Sequence, residues 1–190
     1  MLNDKYRNFE RKLAFHTAPT LLGIKCGSLI SLAKSEFDAD CQLFEFNLRA
    51  AKKGLKIKIL CDCGKKTLLL VYNEKLMKKR LEQNEVREML SKCGYGSNYE
   101  IDGCLDYLGK RVHESADFPH EIGIFLDYPI DDVIGFIENK GANYKLCGFW
   151  KVYSCEEKAK RTFANYNKCR NFLCNKLNQG NDIYQALKIS

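Results

Sequence analysis

The hydrophobic period changes from that of a helix to that of a strand across Gly54, and this change constrains the fold more than any other feature. Before it, Phe37, Cys41, Phe44, Leu48 and Ala51 recur at spacings of four, three, four and three, which places them on one helix face. After it, Leu55, Ile57 and Ile59 alternate with Lys56 and Lys58, the pattern of a strand with one face in a core and a row of lysines outside. Glycine at the junction suits a helix C-cap, because it takes left-handed backbone without steric cost. A chain that alternates these periods packs helices on a sheet.

The same reading extends in both directions. Asp4 to Phe15 reads as a first helix that stops before His16-Thr17-Ala18-Pro19-Thr20, since Pro19 disfavours helical geometry at Ala18. A short strand follows at Ser28 to Leu32. The loop Asp62 to Lys66 joins the lysine-bearing strand to Thr67 to Tyr72, whose unbroken Leu-Leu-Leu-Val run implies cover on both faces. Lys75 to Leu90 is helical, with a break near Asn84 where the apolar spacing slips. Cys93-Gly94-Tyr95-Gly96 is a turn, and Ser97 with Glu100 has the spacing of a capping box ahead of a helix marked by Ile101, Leu105, Leu108 and Val112. Glu121 to Asp127 reads as a strand. A helix follows from Pro129, with Asp131 and Asp132 at its positive end, Ile130, Val133, Ile134 and Ile137 on its apolar face, and Gly141 as its stop. Leu146 to Tyr153 reads as another strand and Cys155 to Asn178 as a long helix, leaving a loosely held tail after Gly180. The expectation is a single α+β domain over residues 1–190, with a mixed sheet of four or five strands and helices packed on it.

Composition excludes several classes. With 190 residues, 45% apolar, the chain is long enough to bury a core of its own. No apolar run approaches the ~20 residues of a membrane span, and the first twelve residues lack the apolar stretch of an export signal, so a cytoplasmic location and no membrane insertion are expected. Ten cysteines in such a compartment read as reduced thiols rather than a disulfide framework. They include no C-x-x-C, so zinc or an iron–sulfur cluster is not indicated and no metal is assigned. The formal charge of +7 is polarised: Arg49 to Lys66 carries seven bases against Asp62, whereas Ile101 to Lys140 carries nine acids against three bases. Without a nucleic-acid motif, nucleic acid is not expected as a partner, and an acidic protein meeting the lysine-rich strand is the alternative to simple solvation of that face.

Four side chains are candidates for chemistry. His120 and Glu121 open the strand expected after Pro119, where a base and its orienting carboxylate could be displayed, although neighbours on a strand point to opposite faces. His16 sits beside Thr17 and Thr20 in the turn around Pro19, where hydroxyls either line a pocket or bond the turn's own backbone. Cys147, ahead of Gly148 and Trp150, would serve as a nucleophile only with a base to lower its pKa. Trp150, Thr17 and Thr20 are the ligand-contacting candidates, a flat ligand being conceivable against the aromatics. The cofactor is unknown.

His16 to Leu21 (HTAPTL), Phe118 to Leu126 (FPHEIGIFL) with Pro129 and Gly135 to Gly141, and Cys147 to Tyr153 (CGFWKVY) resemble stretches of an uncharacterised family of small proteins from clostridia and related anaerobic Firmicutes, known only as a domain of unknown function. The resemblance runs from about Phe15 to Tyr166. It implies a cytosolic bacterial setting and carries over no catalytic role. Three functions follow for testing: a ligand- or metal-handling protein, with or without enzymatic activity, whose pocket joins His16, His120 and Glu121; an interaction module offering the Lys56 and Lys58 face; and a hydrolase using Cys147.

Overall fold

A three-stranded antiparallel sheet separates two apolar cores in the computed structural model, which describes residues 2–37, 39–114 and 118–189. The strands are β1 (Gly27–Ala33), β2 (Leu55–Cys63) and β3 (Lys66–Asn73), in the order β1-β3-β2. The Leu-Leu-Leu-Val strand is therefore the central one, and Leu69, Leu70 and Val71 are fully buried. Side chains alternate across it, so Leu69 and Val71 enter one core while Leu70 and Tyr72 enter the other.

The first core lies under α1 (Leu2–Leu21), α2 (Ala39–Ala50), α8 (Glu156–Asn178) and α9 (Ile183–Ala186). The second lies under α3 (Glu74–Leu81), α4 (Asn84–Lys92), α5 (Ile101–Glu114), α6 (Ile122–Phe125) and α7 (Ile130–Glu138). A third, smaller cluster gathers Trp150, Val152, Ala159 and Tyr166 around the hairpin of β4 (Leu146–Cys147) and β5 (Lys151–Val152). The fold is α+β. It has small antiparallel sheets of three and two strands in place of the single mixed sheet of four or five.

Two of the expected strands account for that difference. Glu121 to Asp127 contains the single helical turn α6, in which Ile122, Ile124 and Phe125 are all buried. A short run buried on every side carries no period, so it fits a buried helix turn as well as a strand. Leu146 to Tyr153 folds back on itself at Gly148, where a Cβ would stand 2.2 Å from the Phe163 ring. Only glycine admits that approach, and the turn it permits divides the segment.

The helices depart from expectation in informative ways. α1 continues through Pro19 to Leu21. Proline cannot donate to the Phe15 carbonyl one turn back, and the Arg170 Nε of α8 does so instead at 2.8 Å. α2 forms, but rotated: Leu43, Phe46 and Ala50 are buried while Phe44 and Leu48 are exposed. The Asn47 side chain sets the rotation, its Oδ1 accepting from Ile57 N at 2.7 Å and its Nδ2 donating to Ile57 O at 2.9 Å. β2 is an edge strand, and this amide satisfies backbone groups with no strand beside them. A bulge between Ile59 and Cys61 then shifts the register, turning Leu60 inward and leaving Ile59 exposed.

α3 and α4 break where the spacing slips, and Gly54 caps the 3-10 turn Ala51–Lys53 with φ 64°. α5 starts at Ile101 and Cys104 N donates to Glu100 O at 3.0 Å, so Glu100, not Ser97, stands at the cap position. After Gly180 the chain is packed rather than loose: Ile183, Tyr184 and Leu187 are buried in the first core, and Asp182 and Gln185 form a capping box over α9. No helix among the described residues is long and apolar enough to cross a membrane.

Candidate functional site

The hairpin β4–β5 is tied to α7 by one buried carboxylate. Asp132, in the first turn of α7, is 2% exposed. Its Oδ2 accepts from Trp150 Nε1 at 2.7 Å and its Oδ1 from the backbone N–H groups of Tyr153 and Ser154 at 2.8 and 2.7 Å. Three donors and a helix N-terminus offset the desolvation of this charge. Trp150 is then fixed on both sides, stacked on Tyr128 at 5.1 Å between centroids and met edge-on by Phe163 at 4.5 Å. The Tyr128 hydroxyl donates to Phe149 O at 3.2 Å, closing the frame.

This frame leaves a cavity of about 280 Å³ between α6, α7 and the hairpin. Its walls include Phe118, Ile122, Tyr128, Val133, Phe136 and Trp150, so carbon dominates the lining. Gly123 also lines it, and a Cβ there would stand 2.8 Å from Val133, so the glycine allows α6 to approach α7. His120 is exposed at the cavity, its ring set edge-on to Phe136 at 5.0 Å. Lys151 reaches the same place, but its Nζ donates to Gly141 O at 2.7 Å and lies over the Tyr144 ring at 5.0 Å. Asp132 and Lys151 are thus committed to structural bonds, while the His120 imidazole is exposed beside the cavity.

Of the residues singled out from sequence, His120 and Trp150 come together here. Glu121 does not. It is buried in the second core, where Arg111 donates to it through Nε and through Nη2 at 3.4 Å, and the Tyr95 hydroxyl approaches at 3.5 Å. Burial and the Glu121 charge together push the Tyr95 phenol up. His16, Thr17 and Thr20 belong to α1, across the sheet from α6, so the pocket joining His16 to His120 and Glu121 does not form. Thr17 donates to Leu13 O at 2.8 Å and Thr20 shares a 2.8 Å hydrogen bond with Ser28, so both hydroxyls serve the fold. His16 is exposed on α1, and partial burial, then the charges of Arg170 and Lys12, hold its pKa below the ordinary value. Cys147 is an exposed free thiol on β4, outside the cavity lining.

The lysine row is also spoken for. Lys56 Nζ lies 2.7 Å from Glu74 and Lys58 Nζ 2.6 Å from Asp106, so helices α3 and α5 neutralise the face expected to await an acidic partner. Among the described residues no group of three or more His, Cys, Asp or Glu side chains is placed to hold a metal ion.

One polar group escaped the sequence reading. Lys25 is 6% exposed, its Nζ 5.1 Å from the Tyr128 ring centroid and 5.5 Å from that of Tyr166. Burial lowers its pKa to about 8, with Cys26 and Asp127 acting weakly the other way. Asp127 sits at φ 58°, uncommon for a residue with a side chain. Its Oδ2 accepts from Cys26 N at 3.2 Å and its Oδ1 lies 3.8 Å from Arg80 Nε, while Arg80 Nη2 donates to Tyr128 O at 2.5 Å. Tyr128 therefore has the cavity and Trp150 as neighbours as well as this buried cation. The available signal was a lone lysine in the apolar stretch Leu21 to Cys26.

Fold and site together define a class: an α+β protein in which helices and a small hairpin enclose an aromatic-walled cavity beside the main sheet. Within that class the chain belongs to the family described as Protein of unknown function (DUF3793), which matches residues 13–187. No curated protein and no solved structure matches it.

Proposed function

We propose that this protein binds a small, flat, mainly apolar molecule in the cavity between Trp150, Phe136 and His120. One observation carries the reading: an aromatic-walled space of about 280 Å³ with an exposed imidazole beside it. That volume falls just below the ~300–1,000 Å³ of most ligand pockets and suits one or two fused rings. Apolar walls supply affinity, and His120 supplies the directional hydrogen bond that orients the guest. Binding is the activity this arrangement supports, since Asp132 is occupied by three N–H donors and Cys147 stands apart. We read residues 1–190 as one functional unit in the cytosol. The burial of Ile183 and Leu187 against α1 and α2 supports the former. The latter rests on unbridged thiols such as Cys26, Cys104 and Cys147, although Cys61 is disulfide-bonded and so departs from the expectation of ten reduced thiols.

Trp150 is the sole tryptophan of the chain, so intrinsic fluorescence reports on the cavity without a label. Titration with quinoline should give a saturable change in Trp150 emission, weakened roughly tenfold in His120→Ala and further in Phe136→Ala, on the ~1 kcal/mol scale of single aromatic and hydrogen-bond contacts. A linear, unsaturable response that is the same in both variants would refute the reading.

A further inference from the structure

Among the exposed apolar surfaces of the described residues, two face away from each other with the sheet between them. On the side of the first core, α2 presents Phe44, 72% exposed, and Leu48, 67% exposed, one turn apart. The C-terminal end of this ridge is basic, with Lys52 and Lys53 exposed, while Arg49 beside them is paired with Glu45 at 3.1 Å. On the side of the second core, α4 and α7 diverge to leave a groove of about 590 Å³. Met89, Ile130, Ile134 and Ile137 form its apolar surface, and Ile134 and Ile137 are 39% and 41% exposed. Glu85, Glu88, Asp131 and Glu138 line it with a single base, Lys92.

We propose that the chain associates head to tail with further copies of itself, the Phe44 and Leu48 ridge of one copy seating in the α4–α7 groove of the next. The two surfaces match in kind: large side chains one turn apart on a helix meet a cleft between two helices. They match in charge, since a basic end meets four carboxylates, which orients the ridge and disfavours groove against groove. Neither surface can satisfy the other within one molecule, because ridge and groove lie on opposite sides of the sheet. A contact between two different surfaces is heterologous, so it propagates to rings or open chains rather than stopping at a symmetric dimer. Single exposed apolar residues need no explanation, but a ridge and a groove of opposite charge on one chain do.

Sedimentation velocity of the full chain across ~10 μM to ~1 mM, the range of a small interface, reads the association directly. The wild type should show a weight-average mass that rises about twofold or more with concentration. Phe44→Glu keeps the groove and loses the ridge; Ile134→Glu keeps the ridge and loses the groove. Both positions are exposed, so both variants fold, which unchanged circular dichroism confirms. Each alone should remain monomeric throughout. Their equal mixture should form a dimer and nothing larger, because one intact ridge and one intact groove remain and the two spoiled surfaces carry like charge. A wild type that is monomeric across the range overturns the proposal, as does a mixture that stays monomeric or a single variant that assembles like the wild type. Leu48→Glu and Ile137→Glu serve as the second pair and must behave in the same way.

Discussion

His16 and His120 each stand near a proline at the end of an apolar segment, yet the two segments take opposite courses. Around Pro19 the chain stays helical, because Arg170 on α8 takes over the Phe15 carbonyl that proline leaves unbonded. Both threonine hydroxyls nearby are then drawn into the fold, Thr17 to its own helix and Thr20 to Ser28. Around Pro119 the chain turns, makes the single helical turn α6, and turns again at Asp127 and Pro129. The polar anchor there is Asp132, one helix further on, and it holds the hairpin off α6 so that a cavity remains. A histidine beside a proline therefore borders a cavity only where the surrounding elements are held apart. What decides is the long-range bond each segment finds, to Arg170 in one case and to Asp132 in the other.

The largest test removes the anchor on the His120 side. Asp132→Ala strands the buried Trp150 indole N–H and two half-buried backbone N–H groups, a loss of ~3 kcal/mol in urea unfolding. Asp132→Asn, which keeps one acceptor oxygen, should lose less. In both, Trp150 emission should shift to the red as the indole meets water. A change below ~0.5 kcal/mol, the range of ordinary surface substitutions, would mean that the hairpin stands without Asp132.

Next in size is Lys25, which connects the two regions because it follows α1 and lies under Tyr128. Its pKa is about 8 in the fold against 10.5 ordinarily. Between those values the unfolded chain binds a proton that the folded chain does not, so stability attributable to Lys25 rises with pH across that window. Below about pH 8 both states are charged and the full cost of burial is present. Lys25→Met should therefore be more stable than the wild type at neutral pH, by up to ~3 kcal/mol, with the advantage shrinking toward pH ~10.5. An advantage independent of pH would show that packing, not the buried charge, is at issue.

The secondary elements that could be read from sequence are those whose period is long or whose stop is chemical. β2, β3, the break between α3 and α4, α7 with Gly141 and the long α8 all rest on such signals. The α2 face could not be read, because Leu43, Phe46 and Ala50 repeat at helical spacing as well as Phe44 and Leu48 do, and only Asn47 on the Ile57 backbone chooses between them. α6 could not be read because a segment buried all round has no period. In the site, His120 and Trp150 were visible as a histidine and an indole at element ends. Asp132 looked like a helix N-terminal carboxylate, which it is, and its tie to Trp150 depends on a tertiary approach that local pattern does not encode. The lysine face read correctly as a polar row, but Glu74 and Asp106 come to it from helices distant in sequence.

On the His16 side the effect is smaller and the test is a cycle. Arg170→Met should cost ~1–2 kcal/mol, since it leaves the Phe15 carbonyl without a donor while keeping most of the aliphatic packing. Pro19→Ala restores a backbone N–H that can donate to that carbonyl. In the Pro19→Ala background the cost of Arg170→Met should fall by half or more, and a cycle with no coupling would show that Arg170 acts through its stacking on Phe15, at 4.4 Å, alone.

The smallest expected effect on stability discriminates most sharply between the two histidines. Both are exposed, so His16→Ala and His120→Ala should each change unfolding free energy by no more than ~0.5 kcal/mol. Their consequences for a guest should differ completely: His120→Ala weakens quinoline binding, whereas His16→Ala, across the sheet from the cavity, leaves the titration of Trp150 emission unchanged. Equal loss in both variants would mean that the guest is not in the cavity beside Trp150, and the distinction drawn between the two proline-flanked segments would fail with it. Loss in His120→Ala alone assigns binding to the side of the sheet where Asp132 holds the elements apart.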